Sequence, residues 1–126
     1  PSKKFKPKEK ARILSDISKN KVVNIVAKSI GTLVASYIIE KIPMQIGKVI
    51  LCGVPLNDLT ESNREDMTRI LKNLEGIEIL VIQNSTDPHG SFEDVKLFVS
   101  AANSKIKVIQ KDRSDHEYPY FEEFKK

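Results

Sequence analysis

A serine hydroxyl is a poor nucleophile until an imidazole accepts its proton, and that imidazole works best when a carboxylate fixes its tautomer. The chain offers one such set in a single order: Ser29, Asp87 and His116, separated by 58 and 29 residues. The chemistry of the set is acyl transfer. Ser29 would attack a carbonyl, His116 would serve as general base and then general acid, and Asp87 would orient the ring. No local segment brings these residues together, so the elements between them must do it.

Four apolar runs, 22–27, 48–54, 77–83 and 106–110, read as strands. Their starts are 26, 29 and 29 residues apart, too far for hairpins and suited to a strand, a helix and two loops. Five helices are expected. The first runs from Pro7 to about Asn20 with Ile13, Leu14 and Ile17 as its apolar stripe. The second carries Leu33, Val34, Tyr37 and Ile38 and is ended by Pro43 and Gly47. The third opens on a Ser62–Glu65 capping box, turns Met67, Ile70, Leu71 and Leu74 inward and stops at Gly76. The fourth opens on Ser91 with Asp94 and is lined by Val95, Phe98, Val99 and Ala102. A last helix starts at Pro119 with Tyr120, Phe121 and Phe124 inward.

Unbroken Val/Ile runs imply strands buried on both faces, as in a parallel sheet between helices. The expectation is one α/β domain over residues 1–126, a parallel four-stranded sheet flanked by helices, with residues 1–7 as a basic arm. In such a sheet every strand ends on one rim, and ligand sites of open α/β folds form there. Lys28-Ser29-Ile30-Gly31 follows the first strand, Pro55-Leu56-Asn57-Asp58 the second, Asn84 to Gly90 the third and Arg113 to Glu117 the fourth. The parallel arrangement therefore carries Ser29, Asp87 and His116 to one edge. Ser29 sits where strand turns into helix with almost no loop, flanked by the small Ala27 and Gly31 that let the two pass closely. That turn would aim the first N–H groups of the helix, including that of Ile30, at a developing oxyanion.

Each residue also has a plainer reading. Ser29 is equally suited to capping a helix, with Gly31 relieving crowding, and a lone histidine often packs in a loop. His89 competes with His116 as base, and Asp58 and Asp115 compete with Asp87 as acid. Lys28 reads as solvent-facing, or as a selector of anionic substrates. Cys52, inside an apolar strand, reads as a small core residue. Two histidines with Asp87 or Asp115 satisfy no metal-ligand spacing, so no metal is assigned, and acyl-serine chemistry calls for no cofactor.

The stretch Val23-Asn24-Ile25-Val26-Ala27-Lys28-Ser29-Ile30-Gly31 resembles the nucleophile elbow of the α/β-hydrolase superfamily. The order Ser29, Asp87, His116 is that of the family's nucleophile, acid and histidine. Asn84-Ser85-Thr86-Asp87 resembles its acid loop, and Ser114-Asp115-His116 before an amphipathic segment resembles its histidine loop. The resemblance covers essentially the whole chain but only the C-terminal half of the family fold. It implies a partial α/β-hydrolase fold, a serine hydrolase acting on a small-molecule ester, thioester or related acyl substrate, and catalytic roles for Ser29, Asp87 and His116. Ala27 stands where the family usually has Gly. The family's first strands, and the loop giving a second oxyanion N–H, have no counterpart here. The first strand would then show an open edge, to be covered by a missing N-terminal half or by a second copy. Retaining fold and residues without catalysis, as a protein-interaction or scaffold domain, is the alternative.

Composition narrows the remaining classes. The net charge of +4 is an N-terminal feature: residues 1–21 carry a net +6 and the rest a net −2. Basic residues thus form no stripe across the fold, Trp is absent, and no nucleic-acid partner is expected. A single cysteine excludes an intrachain disulfide framework. No run is long enough for a membrane span, and the charged start lacks a signal-peptide apolar segment, which reads as cytoplasmic. The start at Pro1 rather than Met reads as a cut or processed product. A flavodoxin-like nucleotide or flavin binder would need a Gly-rich loop after the first strand, and none follows.

Overall fold

In the computed structural model, residues 6–17 and 21–120 are described. Helix α1 (Pro7–Ile17) precedes strand β1 (Val23–Lys28), helix α2 (Gly31–Lys41) and strand β2 (Ile46–Cys52). Helix α3 (Glu61–Lys72), strand β3 (Glu78–Asn84), helix α4 (Phe92–Ala102) and strand β4 (Lys107–Lys111) complete the order. All four strands are parallel and adjacent in chain order, β1-β2-β3-β4. The parallel sheet flanked by helices is the architecture the sequence implies. The register sets Lys28 beside Cys52, Cys52 beside Ile82, and Ile82 beside Ile109, so the strands end nearly level.

The two sheet faces differ. Ile25, Ala27, Val49, Leu51, Ile79, Val81 and Val108 join the core with Leu33, Ile39, Met67, Leu71, Val95 and Val99 of the helices. The helices pack in a row along this face, α1 on α2, α2 on α3 and α3 on α4. The opposite face buries Ile50, Cys52 and Ile82 under Tyr118, with Leu80, Ile109 and Tyr120 packed alongside. Among the described residues, aromatic side chains rather than a helix cover this second face. The expected burial of every strand on both faces is corrected: β1 and β4, at the two edges of the sheet, stay partly exposed. Most of the expected last helix, residues 121–126, lies outside the described residues, and no helix is formed at Pro119 and Tyr120.

Other differences have local causes. Helix α1 turns Ala11 and Ser15 inward, while Ile13 and Leu14 are exposed, because small residues let α1 approach α2. Its expected extension to Asn20 lies outside the described residues. Gly47 falls inside β2 rather than ending α2. A Cβ there would stand 2.5 Å from Asn24 Oδ1, which accepts the Lys48 N–H. Helix α3 is capped by Thr60, whose hydroxyl accepts the Asn63 N–H, and not by Ser62, which lies within the helix. Ser91 caps α4 as expected, accepting the Asp94 N–H. No helix of the described residues is long and apolar enough to cross a membrane.

Candidate active site

Strand β1 ends at Lys28 and α2 begins at Gly31, leaving Ser29 and Ile30 to reverse the chain. Ser29 does so at φ 56°, the only left-handed non-glycine backbone among the described residues. An L side chain there costs about 1–2 kcal/mol, so the surroundings must hold it. Its N–H donates to Cys52 O at 2.9 Å, continuing the β1–β2 pairing past the strand end. Its carbonyl accepts the Thr32 N–H at 2.9 Å and the Thr32 hydroxyl at 2.8 Å. The turn thus lifts the hydroxyl off the sheet. Gly31 faces Ala27, but an added Cβ would meet the Ala27 methyl at 3.8 Å, an ordinary contact. Crowding at this crossing is therefore milder than the expectation for Gly31.

The hydroxyl does not cap the helix. Ser29 Oγ lies 2.8 Å from His116 Nε2, and His116 Nδ1 lies 2.7 Å from Asp87 Oδ2. The two ring nitrogens are thereby divided, one toward the serine and one toward the acid. With Nδ1 donating to the carboxylate, Nε2 is left to accept the serine proton. The Asp87 side chain is fully buried and that of His116 is 23% exposed, so the chain runs from the interior to the surface. The Ile30 N–H beside Ser29 has no acceptor among the described residues.

The rivals occupy other positions. Asp58 pairs with His89 Nδ1, and this second imidazole lies against the first, ring centroids 4.4 Å apart. Asp115 takes a two-point ion pair from Arg113, at 3.0 and 2.7 Å, whose guanidinium holds its carboxyl below the ordinary range. Cys52 is buried in the sheet. Among the described residues no group of three or more His, Cys, Asp or Glu side chains is placed to hold a metal ion.

Three residues essential to this geometry were not singled out from sequence. Asn84 ends β3 and donates its amide to the Asp115 and Glu117 carbonyls at 3.0 and 2.8 Å, gripping the chain on both sides of His116. Gln83 is fully buried; it accepts the Val54 N–H at 2.9 Å and donates to the Val54 and Gly90 carbonyls at 3.2 and 2.7 Å. It thereby ties the loop after β2 to the loop that carries Asp87. Tyr118 packs its ring against Gly53, whose φ of 66° and lack of a side chain make room; a Cβ there would lie 2.5 Å from the ring. Burial pushes the Tyr118 phenol well above its ordinary value, and Asp87 adds to the shift, so the hydroxyl keeps its proton. The available signal was two buried amides, Gln83-Asn84, closing an apolar strand, since such groups need internal partners.

Compared with known proteins, the chain matches no protein-family model and no curated protein sequence.

Proposed function

We propose that this chain is a serine hydrolase domain of α/β-hydrolase type, or the C-terminal part of one. Its reaction would transfer an acyl group from a carboxylic ester, thioester or related substrate to water. The single observation that supports this reading is the hydrogen-bonded series Ser29 Oγ, His116 Nε2, His116 Nδ1, Asp87 Oδ2. Ser29 attacks the carbonyl carbon as Nε2 takes its proton, and the resulting imidazolium faces Asp87. The carbonyl oxygen, now an alkoxide, meets the Ile30 N–H. His116 then gives its proton to the leaving group, and the acyl-serine forms. Water repeats the sequence: His116 removes its proton, the tetrahedral adduct collapses, and Ser29 recovers the proton as the acid departs.

One N–H makes a weak oxyanion site, because each missing donor costs about 2.7–4 kcal/mol of transition-state stabilisation. A second donor from further strands of the same protein, or from a second copy, completes the site in this proposal. Among the described residues strand β1 has a neighbour on one side only, with Val26 half exposed, and that edge is where such a segment adds. The same open edge favours the second reading, an interaction domain that keeps the fold without turnover.

A serine-directed phosphonate, with its adduct mapped by mass spectrometry, separates the two. The hydrolase reading expects stoichiometric labelling at Ser29, lost in Ser29→Ala and sharply reduced in His116→Ala. A folded sample that stays unlabelled, alone and with the strands that complete its sheet, overturns the hydrolase reading and leaves the interaction domain.

A further inference from the structure

Asp87 Oδ2 receives two donors. His116 Nδ1 lies at 2.7 Å and the Tyr118 hydroxyl at 2.6 Å from the same oxygen, while the other oxygen accepts the His89 N–H at 2.8 Å. The Tyr118 oxygen in turn accepts the Asn84 N–H at 2.9 Å, so its proton has a fixed direction, toward the carboxylate. Its ring stands edge-on to His116, centroids 5.9 Å apart, and is itself buried. From this shared oxygen we propose that Tyr118 is a positioning residue that sets how strongly Asp87 holds His116. The inference rests on the catalytic reading of the site for its consequence, though not for its geometry.

The physical reason is competition. A carboxylate oxygen that accepts two short bonds divides its charge between them, and each donor is held less tightly than it would be alone. Tyr118 therefore fixes Asp87 in the rotamer that meets Nδ1 while drawing charge away from that contact. A tyrosine that merely filled space over Gly53 would do neither. Tyr118→Phe keeps the ring and its packing and removes only the donor, so it separates the two roles.

The test is made on the whole chain, with His89→Gln used to assign the His116 signals. In wild type and in Tyr118→Phe, the ring proton on His116 Nδ1 is observed by NMR, with the amide spectrum as the check on folding. With the second donor gone, Oδ2 serves His116 alone, and the ring proton should move downfield by about 0.5 ppm or more as the bond shortens. The pH at which phosphonate labelling of Ser29 falls to half should rise by about half a unit, since an undivided carboxylate favours the imidazolium. An unchanged ring proton in a folded Tyr118→Phe variant overturns the inference even if Ser29 is labelled. A shifted ring proton in a protein whose serine is never labelled supports the inference and overturns the hydrolase reading instead. Should Tyr118→Phe fail to fold, 3-fluorotyrosine at position 118 gives the independent arm. It keeps the ring and makes the phenol a stronger donor to the shared oxygen, so an upfield move of the His116 ring proton supports the inference and an unchanged position overturns it.

Discussion

Ser29 combines two features that pull against each other: a side chain hydrogen-bonded to His116 and a backbone conformation suited to glycine. A left-handed residue with a Cβ costs about 1–2 kcal/mol, and glycine gives back about 0.5–1 of this as unfolded-chain entropy. Ser29→Ala and Ser29→Gly should therefore both abolish labelling but differ in stability. Glycine is expected to be the more stable by up to about 1 kcal/mol, read from urea midpoints. Alanine the more stable would mean that the turn relaxes away from φ 56° once the hydroxyl is removed. Asp87→Asn tests the other end of the series: it keeps the shape but supplies no charge for the imidazolium. Labelling should fall by at least about a hundredfold at neutral pH while folding is retained. At this scale the meeting of Ser29, His116 and Asp87 was legible from residue type, chain order and the parallel sheet, while their catalytic roles belong to the proposal. The contacts of Tyr118 and Asn84 were not legible, because their partners are backbone groups and a carboxylate more than 30 residues away.

Elements reach this site through loops whose geometry glycine permits, and the three glycines of the rim are not equivalent. Gly31 lies in the first turn of α2 with ordinary space around it, so Gly31→Ala should stabilise the chain by about 0.5–1 kcal/mol through lower unfolded-state entropy. Gly53 has φ 66° and touches the Tyr118 ring. Gly53→Ala should destabilise by about 2–4 kcal/mol, from the left-handed penalty plus displacement of the ring, and should lower labelling with it. A Cβ on Gly90 would come within 2.7 Å of Val54 O, a backbone atom held by Gln83, so this site has no soft neighbour to yield. Equal effects of Gly31→Ala and Gly53→Ala on thermal midpoints would contradict this ranking. Sequence spacing located every strand of the sheet to within two residues, since apolar runs bounded by turns mark strands well, although the edge strands β1 and β4 are only partly buried. It misplaced the cap of α3 because Thr60 and Ser62 both precede an acidic turn, and only the hydroxyl's direction decides between them.

At the scale of the whole molecule, the rim depends on a sheet with a row of helices along one face, and among the described residues a polar cluster pins α1, α2 and α3 to one another. Asp66 of α3 accepts the Tyr37 hydroxyl of α2 and lies 2.8 Å from Arg69, which also bonds Glu40 of α2, while Lys8 of α1 reaches it at 3.5 Å. The Tyr37 bond first, and Arg69 next, hold the Asp66 carboxyl below its ordinary value. Tyr37 is pushed up to about 12, by burial first and by Asp66 second, so it remains the donor at any physiological pH. Neither the sign nor the partners of this cluster follow from periodicity, which assigns Tyr37 to a core stripe and gives Asp66 no role. A carboxyl depressed in the folded state adds stability above its unfolded value near 3.9, and loses it as pH falls through the folded value. Asp66→Asn should accordingly cost about 1–2 kcal/mol between pH 5 and 7, and the gap to wild type should close as pH falls toward 3. Urea midpoints at pH 7, 5 and 3 measure it directly. A gap that stays constant over that range would mean that Asp66 acts by shape alone and that its charge does not join the helices.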